Sequence, residues 1–281
     1  MTLLTHWVNS CQDAGLELSD RGYRYGDALF ETLRCHAGHW RLLDYHLQRL
    51  QRGCEKLEIP YPEPGVQSHL QAAVQWLDDH GITEASARLV VSRGSGGQGY
   101  GGASSAPVIG LSLARINLAW GQATSPARLV SCDITMARQP RLAGIKHANR
   151  LEQVLAAREV QRKQADEGIL ATSDGEVICA VAANIFAVFD EVLLTPPIVD
   201  CGVAGTVRRL LLEKLAGQAG LVAREAHLST ADLLQARELL LTNALVGIRS
   251  VASLDGHEFP SMTCGDQLRQ YYFANAGSTL P

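Results

Sequence analysis

The run NLAWGQATSP, residues 117–126, is the feature that most limits how this chain can fold. Polar residues, a glycine and a proline there interrupt the apolar periodicity on both sides, as a linker between two periodic segments does. A chain of 281 residues is long enough for two modest domains. The expectation is an N-terminal α+β domain over 1–116, a linker over 117–126 and a larger, strand-rich C-terminal domain over 127–281.

Periodicity fills in each part. In the first, strands are expected over 4–9, 28–34 and 40–42, then helices over 44–58 and 66–80. Asp44 is the expected N-cap of the first helix, on which Leu47, Leu50, Cys54 and Leu57 recur along one face. Strands over 87–92 and 108–114 flank a glycine-rich loop. Beyond the linker, strands are expected over 128–135, 168–173, 177–180, 185–189, 192–194 and 239–242, with Ser173, Asp174 and Gly175 supplying hairpin-turn chemistry. Helices are expected over 149–163, 206–218, 229–236 and 265–274.

Composition narrows the function. With 46% hydrophobic and 19% charged residues the chain reads as ordinary globular protein, and a net charge of −4 gives no basic footprint for nucleic acid or an anionic membrane. Neither partner is expected. No apolar run reaches the roughly 18 residues of a spanning helix. The start MTLLTHWVNS lacks the basic head and apolar core of a signal peptide, so a cytoplasmic protein is expected. Seven cysteines without C-x-x-C spacing read as reduced small hydrophobes, not as a disulfide framework or zinc site.

Some motifs fail in context. Gly94, Gly96 and Gly99 satisfy G-x-G-x-x-G, but YGGASSAP follows and cannot open a helix, and no acidic residue lies about 20 positions on to hold a ribose. Cys35, His36 and His39 lack a fourth metal ligand at suitable spacing and read as a hairpin tip around Ala37 and Gly38. No metal is expected.

Other features point to a ligand. Lys146 stands alone among apolar and small residues in LAGIKHANRLEQVL. A lysine amine there can react with a carbonyl cofactor if its surroundings free the lone pair; the alternative is a solvated lysine whose stem lies along apolar surface. In DCGVAGTVRRLLLEKL, Gly205 and Thr206 precede or open a helix, where unpaired N–H groups and the dipole favour phosphate. Arg49 sits in HLQRLQR between apolar residues, and Thr242 ends an apolar strand with a hydroxyl. Taken singly, they equally suit a helix cap, a surface charge and a strand end.

The ordered runs SDRGYRYGDALFETLR, LLDYHLQRL, VVSRGSGGQGY, LAGIKHANRLEQVL, AANIF, GVAGTVRR and LTNAL resemble the fold type IV pyridoxal-phosphate enzymes across nearly the whole chain. The resemblance implies two domains with the cofactor at their interface, a homodimer, and a small-molecule substrate. It implies that Lys146 anchors pyridoxal phosphate and serves as acid and base. Arg49, Thr206 and Thr242 would bind the cofactor phosphate, helped by backbone N–H groups of Val203, Ala204, Gly205 and Thr206. Arg93 and Tyr100 would hold a substrate carboxylate, Arg93 because its fork matches that group. Asn149 would support the lysine, and Thr32 would line the substrate side and assist proton transfer. Within the family, SRGSGGQGY and AGIKHANRLEQV are most similar to the lyases that turn 4-amino-4-deoxychorismate into p-aminobenzoate and pyruvate for folate synthesis. Branched-chain and D-amino-acid aminotransferases share the outline but not those two runs.

One departure stands out. Where the family pattern places a glutamate against the pyridine nitrogen, VICAVAAN offers Cys179. A carboxylate there keeps the ring an electron sink, and a thiol does so only if it ionises. Glu176 is no substitute, because positions 176 and 179 of a strand point to opposite faces. Three expectations follow: a slower lyase with a Cys179 thiolate or water as partner, a cofactor-binding protein with lost or changed activity, or a locally shifted alignment.

Overall fold

In a computed structural model describing residues 2–101 and 106–275, the chain divides into two compact units, Met1–Trp120 with Ile145–Asn149, and Gly121–Gly144 with Arg150–Pro281. Residues 102–105 of the glycine-rich loop and the outermost residues of both expected domains lie outside the described residues.

The first unit contains β1 (Leu3–Val8), β2 (Cys11–Gln12), α1 (Arg21–Tyr25), β3 (Ala28–His36), β4 (His39–Trp40), α2 (Leu43–Leu57), α3 (Glu63–Asp79), β5 (Glu84–Ser92) and β6 (Val108–Arg115). Its six strands form an antiparallel sheet in the order β2-β1-β6-β5-β3-β4. β3 and β5 pair along their full lengths, from Ala28 opposite Ser92 to His36 opposite Glu84. α2 packs on β3 and α3 on β6. Gly53 lets α2 come close, since a Cβ there would sit 2.7 Å from Leu29 Cδ2. Strand side chains alternate, so Leu29 and Glu31 face α2 while Phe30 and Thr32 face the other way. Asp44 does not cap α2. The chain turns through a left-handed Leu42, φ 52°, which puts Asp44 inside the first turn, where its charge still suits the helix dipole.

Residues 145–149 fall with the first unit although the chain on both sides of them belongs to the second. Backbone bonding explains it: Phe30 N donates to Lys146 O at 2.9 Å and Ala148 N to Ala28 O at 2.8 Å, adding a short edge to β3.

The second unit contains β7 (Ala127–Ser131), α4 (Leu151–Arg162), β8 (Glu167–Ala171), β9 (Val177–Ala180), β10 (Asn184–Phe189), β11 (Val192–Thr195), α5 (Thr206–Leu210), α6 (Ala216–Gln218), β12 (Val222–Glu225), α7 (Thr230–Leu234), β13 (Glu238–Asn243), β14 (Gly247–Leu254), β15 (His257–Glu258) and α8 (Thr263–Asn275). A π-helical turn, Leu211–Leu215, joins α5 to α6, so the expected helix over 206–218 is continuous. The sheet runs β12-β11-β10-β13-β14-β7-β8-β9, with β15 on β14. β14 escapes the periodicity reading because half-buried Arg249 and Ser250 interrupt its apolar pattern. The expected strand over 128–135 stops at Ser131. Ala127, Leu129, Ile185, Ala187, Leu239, Leu241 and Val251 contribute to this unit's core. Among the described residues, no helix is long and apolar enough to cross a membrane.

Candidate active site

Lys146, Thr32, Arg49, Asn149, Arg93 and Tyr100 belong to the first unit; Cys179, Val203, Ala204, Gly205, Thr206 and Thr242 belong to the second.

The lysine lies on the sheet. Half-buried Lys146 places Nζ 4.5 Å from the centroid of the Phe30 ring, and the Arg88 guanidinium carbon is 3.8 Å from the same centroid. Thr32 shares the face of Phe30 and stands directly across from Arg88 in β5. Arg88 is exposed, and among the described residues it makes no hydrogen bond or ion pair. Partial desolvation by the sheet still pulls its pKa down. An unpaired guanidinium beside a lysine amine is ready to take an anion.

On the opposite face of β3, buried Glu31 accepts Nε of Arg49 at 2.8 Å and Nδ1 of His46 at 2.6 Å, and Arg49 Nη2 completes a fork on the same carboxylate. Burial alone would raise the pKa of Glu31, but the Arg49 charge and then His46 outweigh it and bring it down to about 2. Burial holds His46 low against the upward pull of Glu31, and the charges of Arg49 and Lys146 add to the lowering. Arg49 thus arrives as a guanidinium aimed by a fixed carboxylate.

Asn149 lies before α4, which begins at Leu151 and not at the expected residue 149. Its amide donates to Gly26 O at 3.1 Å, which pins the Lys146 segment through the backbone. Gly26 has φ 69°, and a Cβ there would meet Asn149 Oδ1 at 2.4 Å, so glycine is required twice over.

Arg93 has a different task from the one expected. Its Nε and Nη2 donate to Asp27 at 2.7 and 3.1 Å, while Nη1 and Nη2 donate to Glu58 O and Leu57 O at 2.8 and 2.5 Å. Those bonds engage both edges of its fork, so Arg93 is an internal clamp, whereas Arg88 keeps its guanidinium on the Phe30 ring beside Lys146 without such bonds among the described residues. Tyr100 is 87% exposed, its ring 5.4 Å from that of Tyr25.

In the second unit, Gly205 is the N-cap of α5 with no side-chain cap, and buried Thr206 is the first helical residue. First-turn N–H groups have no partner within the helix and face a prospective anion. Asn184 joins this terminus to Thr242. It pairs with Thr242 across β10 and β13, and its amide donates to Val203 O at 2.9 Å. A Cβ on Gly205 would lie 2.0 Å from Asn184 Oδ1, so only glycine allows this approach. Val203 and Ala204 are held by Gly144, through a β-bridge and an Ala204 N to Gly144 O bond of 3.2 Å. Thr242 is 2% exposed, and its Oγ1 has no hydrogen-bond partner. A buried hydroxyl left unmatched costs about 1–3 kcal/mol. The N-terminus of α5 and the orphaned Thr242 hydroxyl together suit a phosphate monoester.

Cys179 lies in β9 within an apolar cluster of Met136, Ala156, Leu170, Ile178 and Cys201. Its thiol donates to Met136 Sδ at 3.6 Å, and burial pushes its pKa up to about 12. Burial thus favours a neutral Cys179 thiol over a thiolate. Glu176 is engaged elsewhere, with Arg138 and His227.

A sequence profile of the family described as Amino-transferase class IV matches residues 28–254. The chain belongs to the class IV aminotransferase family. It is 32% identical over 261 residues to an aminodeoxychorismate lyase of Vibrio harveyi, covering 90% of this chain and 92% of that one. It is 25% identical to the branched-chain-amino-acid aminotransferase of Escherichia coli K12, over 93% and 88% of the two chains. Among solved structures it is similar to 4-amino-4-deoxychorismate lyase from Pseudomonas aeruginosa, with a TM-score of 0.85, 36% identity, and coverage of 96% and 98%. The chain is an enzyme of the α+β fold type IV group, which depends on pyridoxal phosphate. Taken unit by unit, the α5 terminus with the Thr242 hydroxyl suits that cofactor's phosphate and Lys146 offers an amine for its carbonyl, whereas Cys179 is a neutral thiol and not an ionised partner for a ring nitrogen.

Sequence reasoning missed Arg88, Glu31, His46 and Asn184. Two left a signal: Glu31 and Arg88 are charged residues inside predominantly apolar strand runs, ALFETLRC and ASARLVVS.

Proposed function

We propose that this protein converts 4-amino-4-deoxychorismate to p-aminobenzoate and pyruvate with pyridoxal phosphate, as a step of folate synthesis. The observation that carries the reading is the Phe30 ring with two cations on it, Lys146 to react with a carbonyl and move protons, and Arg88 to hold an anion. Similarity to the lyases from Vibrio harveyi and Pseudomonas aeruginosa supports a lyase over an aminotransferase.

Pyridoxal phosphate, when bound, withdraws electron density from the substrate carbon that bears the amine and so acidifies its proton. Arg49, Thr206 and Thr242 would hold its phosphate, with backbone N–H groups of Val203 to Thr206 contributing. Lys146 is the residue that would hold the carbonyl end of the cofactor through its amine. Lys146 Nζ then removes the ring proton from the nitrogen-bearing carbon. The Arg88 fork orients a substrate carboxylate, with Tyr100 beside the substrate. Thr32 Oγ1 or Lys146 Nζ delivers a proton to the methylene carbon of the departing enolpyruvate, giving pyruvate. Aromatisation makes this elimination downhill, which lets a neutral Cys179 be tolerated.

Release of pyruvate and p-aminobenzoate from 4-amino-4-deoxychorismate tests the proposal. Lys146→Ala should abolish both products and the borohydride-sensitive visible absorbance. Conversion of the bound cofactor to its pyridoxamine form by an amino acid, without pyruvate release, would instead identify an aminotransferase.

A homodimer in the cytoplasm completes the reading. Leu151, Val154 and Leu155, 76%, 45% and 46% exposed, form an apolar stripe on α4 suited to cover by a second copy. The free cysteines suit a reducing compartment. Sedimentation of Leu155→Glu beside the parent chain tests the dimer.

A further inference from the structure

Three parts of the first unit meet at one carboxylate. Asp27 Oδ2 accepts Arg21 Nε at 3.0 Å and Arg93 Nε at 2.7 Å, and Oδ1 accepts Arg93 Nη2 at 3.1 Å. The arginines then diverge. Arg21, whose side chain is 4% exposed, donates from Nη1 to Gly99 O at 2.9 Å and from Nη2 to Tyr100 O at 2.6 Å. Arg93 donates to Leu57 O and Glu58 O at the C-terminal end of α2, the helix that carries His46 and Arg49. A further bond, Arg93 N to Asp27 O at 3.1 Å, fixes the hub to the base of the loop.

This arrangement answers an entropic problem. Residues 94–101 include five glycines, and ordering each backbone costs about 1–2 kcal/mol. The loop's exposed Tyr100 has little packing of its own beyond Tyr25. A buried guanidinium gripping two consecutive carbonyls supplies order that the loop sequence lacks. Asp27 keeps that grip in place as a charged group: burial alone would raise its pKa, but Arg93 and Arg21 hold it below the usual carboxylate range.

We propose that Asp27 is a positioning residue which, through Arg21 and Arg93, sets the Gly99–Tyr100 loop and the end of α2 in one fixed relation. Loop order and the aim of Arg49 are thereby coupled. The catalytic consequence rests on the reading above that Tyr100 meets substrate; the coupling itself does not.

Hydrogen–deuterium exchange on the cofactor-loaded enzyme, combined with steady-state kinetics, tests both parts. In Asp27→Asn, exchange should rise at 94–101 and at 55–60 while the β5–β6 core keeps its protection. kcat/KM should fall on the order of ten- to a hundredfold, mostly through KM, as small displacements of positioning groups produce. In Arg21→Lys, which keeps the charge but cannot fork two carbonyls, exchange should rise at 94–101 alone. That variant also serves if Asp27→Asn does not fold. Parent-like exchange at 94–101 in Arg21→Lys, or an equal rise throughout the unit in either variant, overturns the proposal. Tyr100→Ala with an unchanged KM would overturn the substrate reading instead, leaving the exchange result standing.

Discussion

Replacing Thr242 by valine should move two properties in opposite directions. Valine keeps the β-branched shape that β13 accommodates and removes only the hydroxyl, which is buried and has no partner. In the cofactor-free protein nothing is lost. The unmatched group carried a penalty of about 1–3 kcal/mol, so apo stability should hold or rise. With cofactor bound, the same hydroxyl serves a charged phosphate, and a hydrogen bond to a charged group contributes about 1.5–3 kcal/mol. The dissociation constant should therefore rise by roughly ten- to a hundredfold, since about 1.4 kcal/mol is tenfold. Chemical denaturation of the apo protein and a titration followed through cofactor absorbance measure the two effects. Pyridoxal without its phosphate is the control, and its affinity should not change. A less stable apo protein with unchanged cofactor affinity would show that the Thr242 hydroxyl serves the fold and not the phosphate.

Three further substitutions probe other parts of the site. Glu31→Ala removes the buried carboxylate that Arg49 and His46 share and should destabilise the apo protein by about 3–5 kcal/mol in denaturation. In the parent chain the folded pKa of Glu31 lies near 2 against an ordinary 4.5, so its contribution is complete above about pH 4.5 and drains away toward pH 2. A parent acid-unfolding midpoint equal to that of Glu31→Ala would contradict this. Arg88→Met should lower kcat/KM about ten- to a hundredfold while the spectrum of the bound cofactor stays the same, and a kinetically normal variant would remove Arg88 from the substrate side. Cys179→Glu puts a carboxyl into the Met136–Leu170 cluster and should destabilise the apo protein by on the order of a few kcal/mol. Cofactor should recover much of that loss, and turnover should increase. An unchanged or lower turnover refutes the idea of a weakened electron sink.

The fold was legible where side-chain periodicity is set by one buried face. β3, β5, β10 and β13 carry apolar runs that name a strand without ambiguity, and α2 and α4 carry helical spacing. β14 was not legible, because its partners β7 and β13 supply the context that makes GIRSVASL a central strand despite Arg249 and Ser250. The 145–149 segment shows the same limit. Its apolar and small residues do not say which strand they will pair with, and only the bonds to Ala28 and Phe30 assign them to the first unit.

For the candidate site, residue type was legible and engagement was not. Arg49 and Arg93 read alike in sequence, each an arginine within a family-like run, yet both guanidiniums are committed to carboxylates of the first unit. What separates them is what the commitment leaves. Glu31 takes Nε and Nη2 of Arg49 on the buried side of β3, which fixes the plane of the guanidinium. Asp27 and two helix-end carbonyls surround Arg93 and engage both edges of its fork. Arg88 lies in a strand whose pairing puts it opposite Thr32 and on the ring that also carries Lys146. An ion pair between residues 18 or 66 positions apart has no signature in local spacing, so the engagement of Arg49 and Arg93 is read from the fold and not from the sequence.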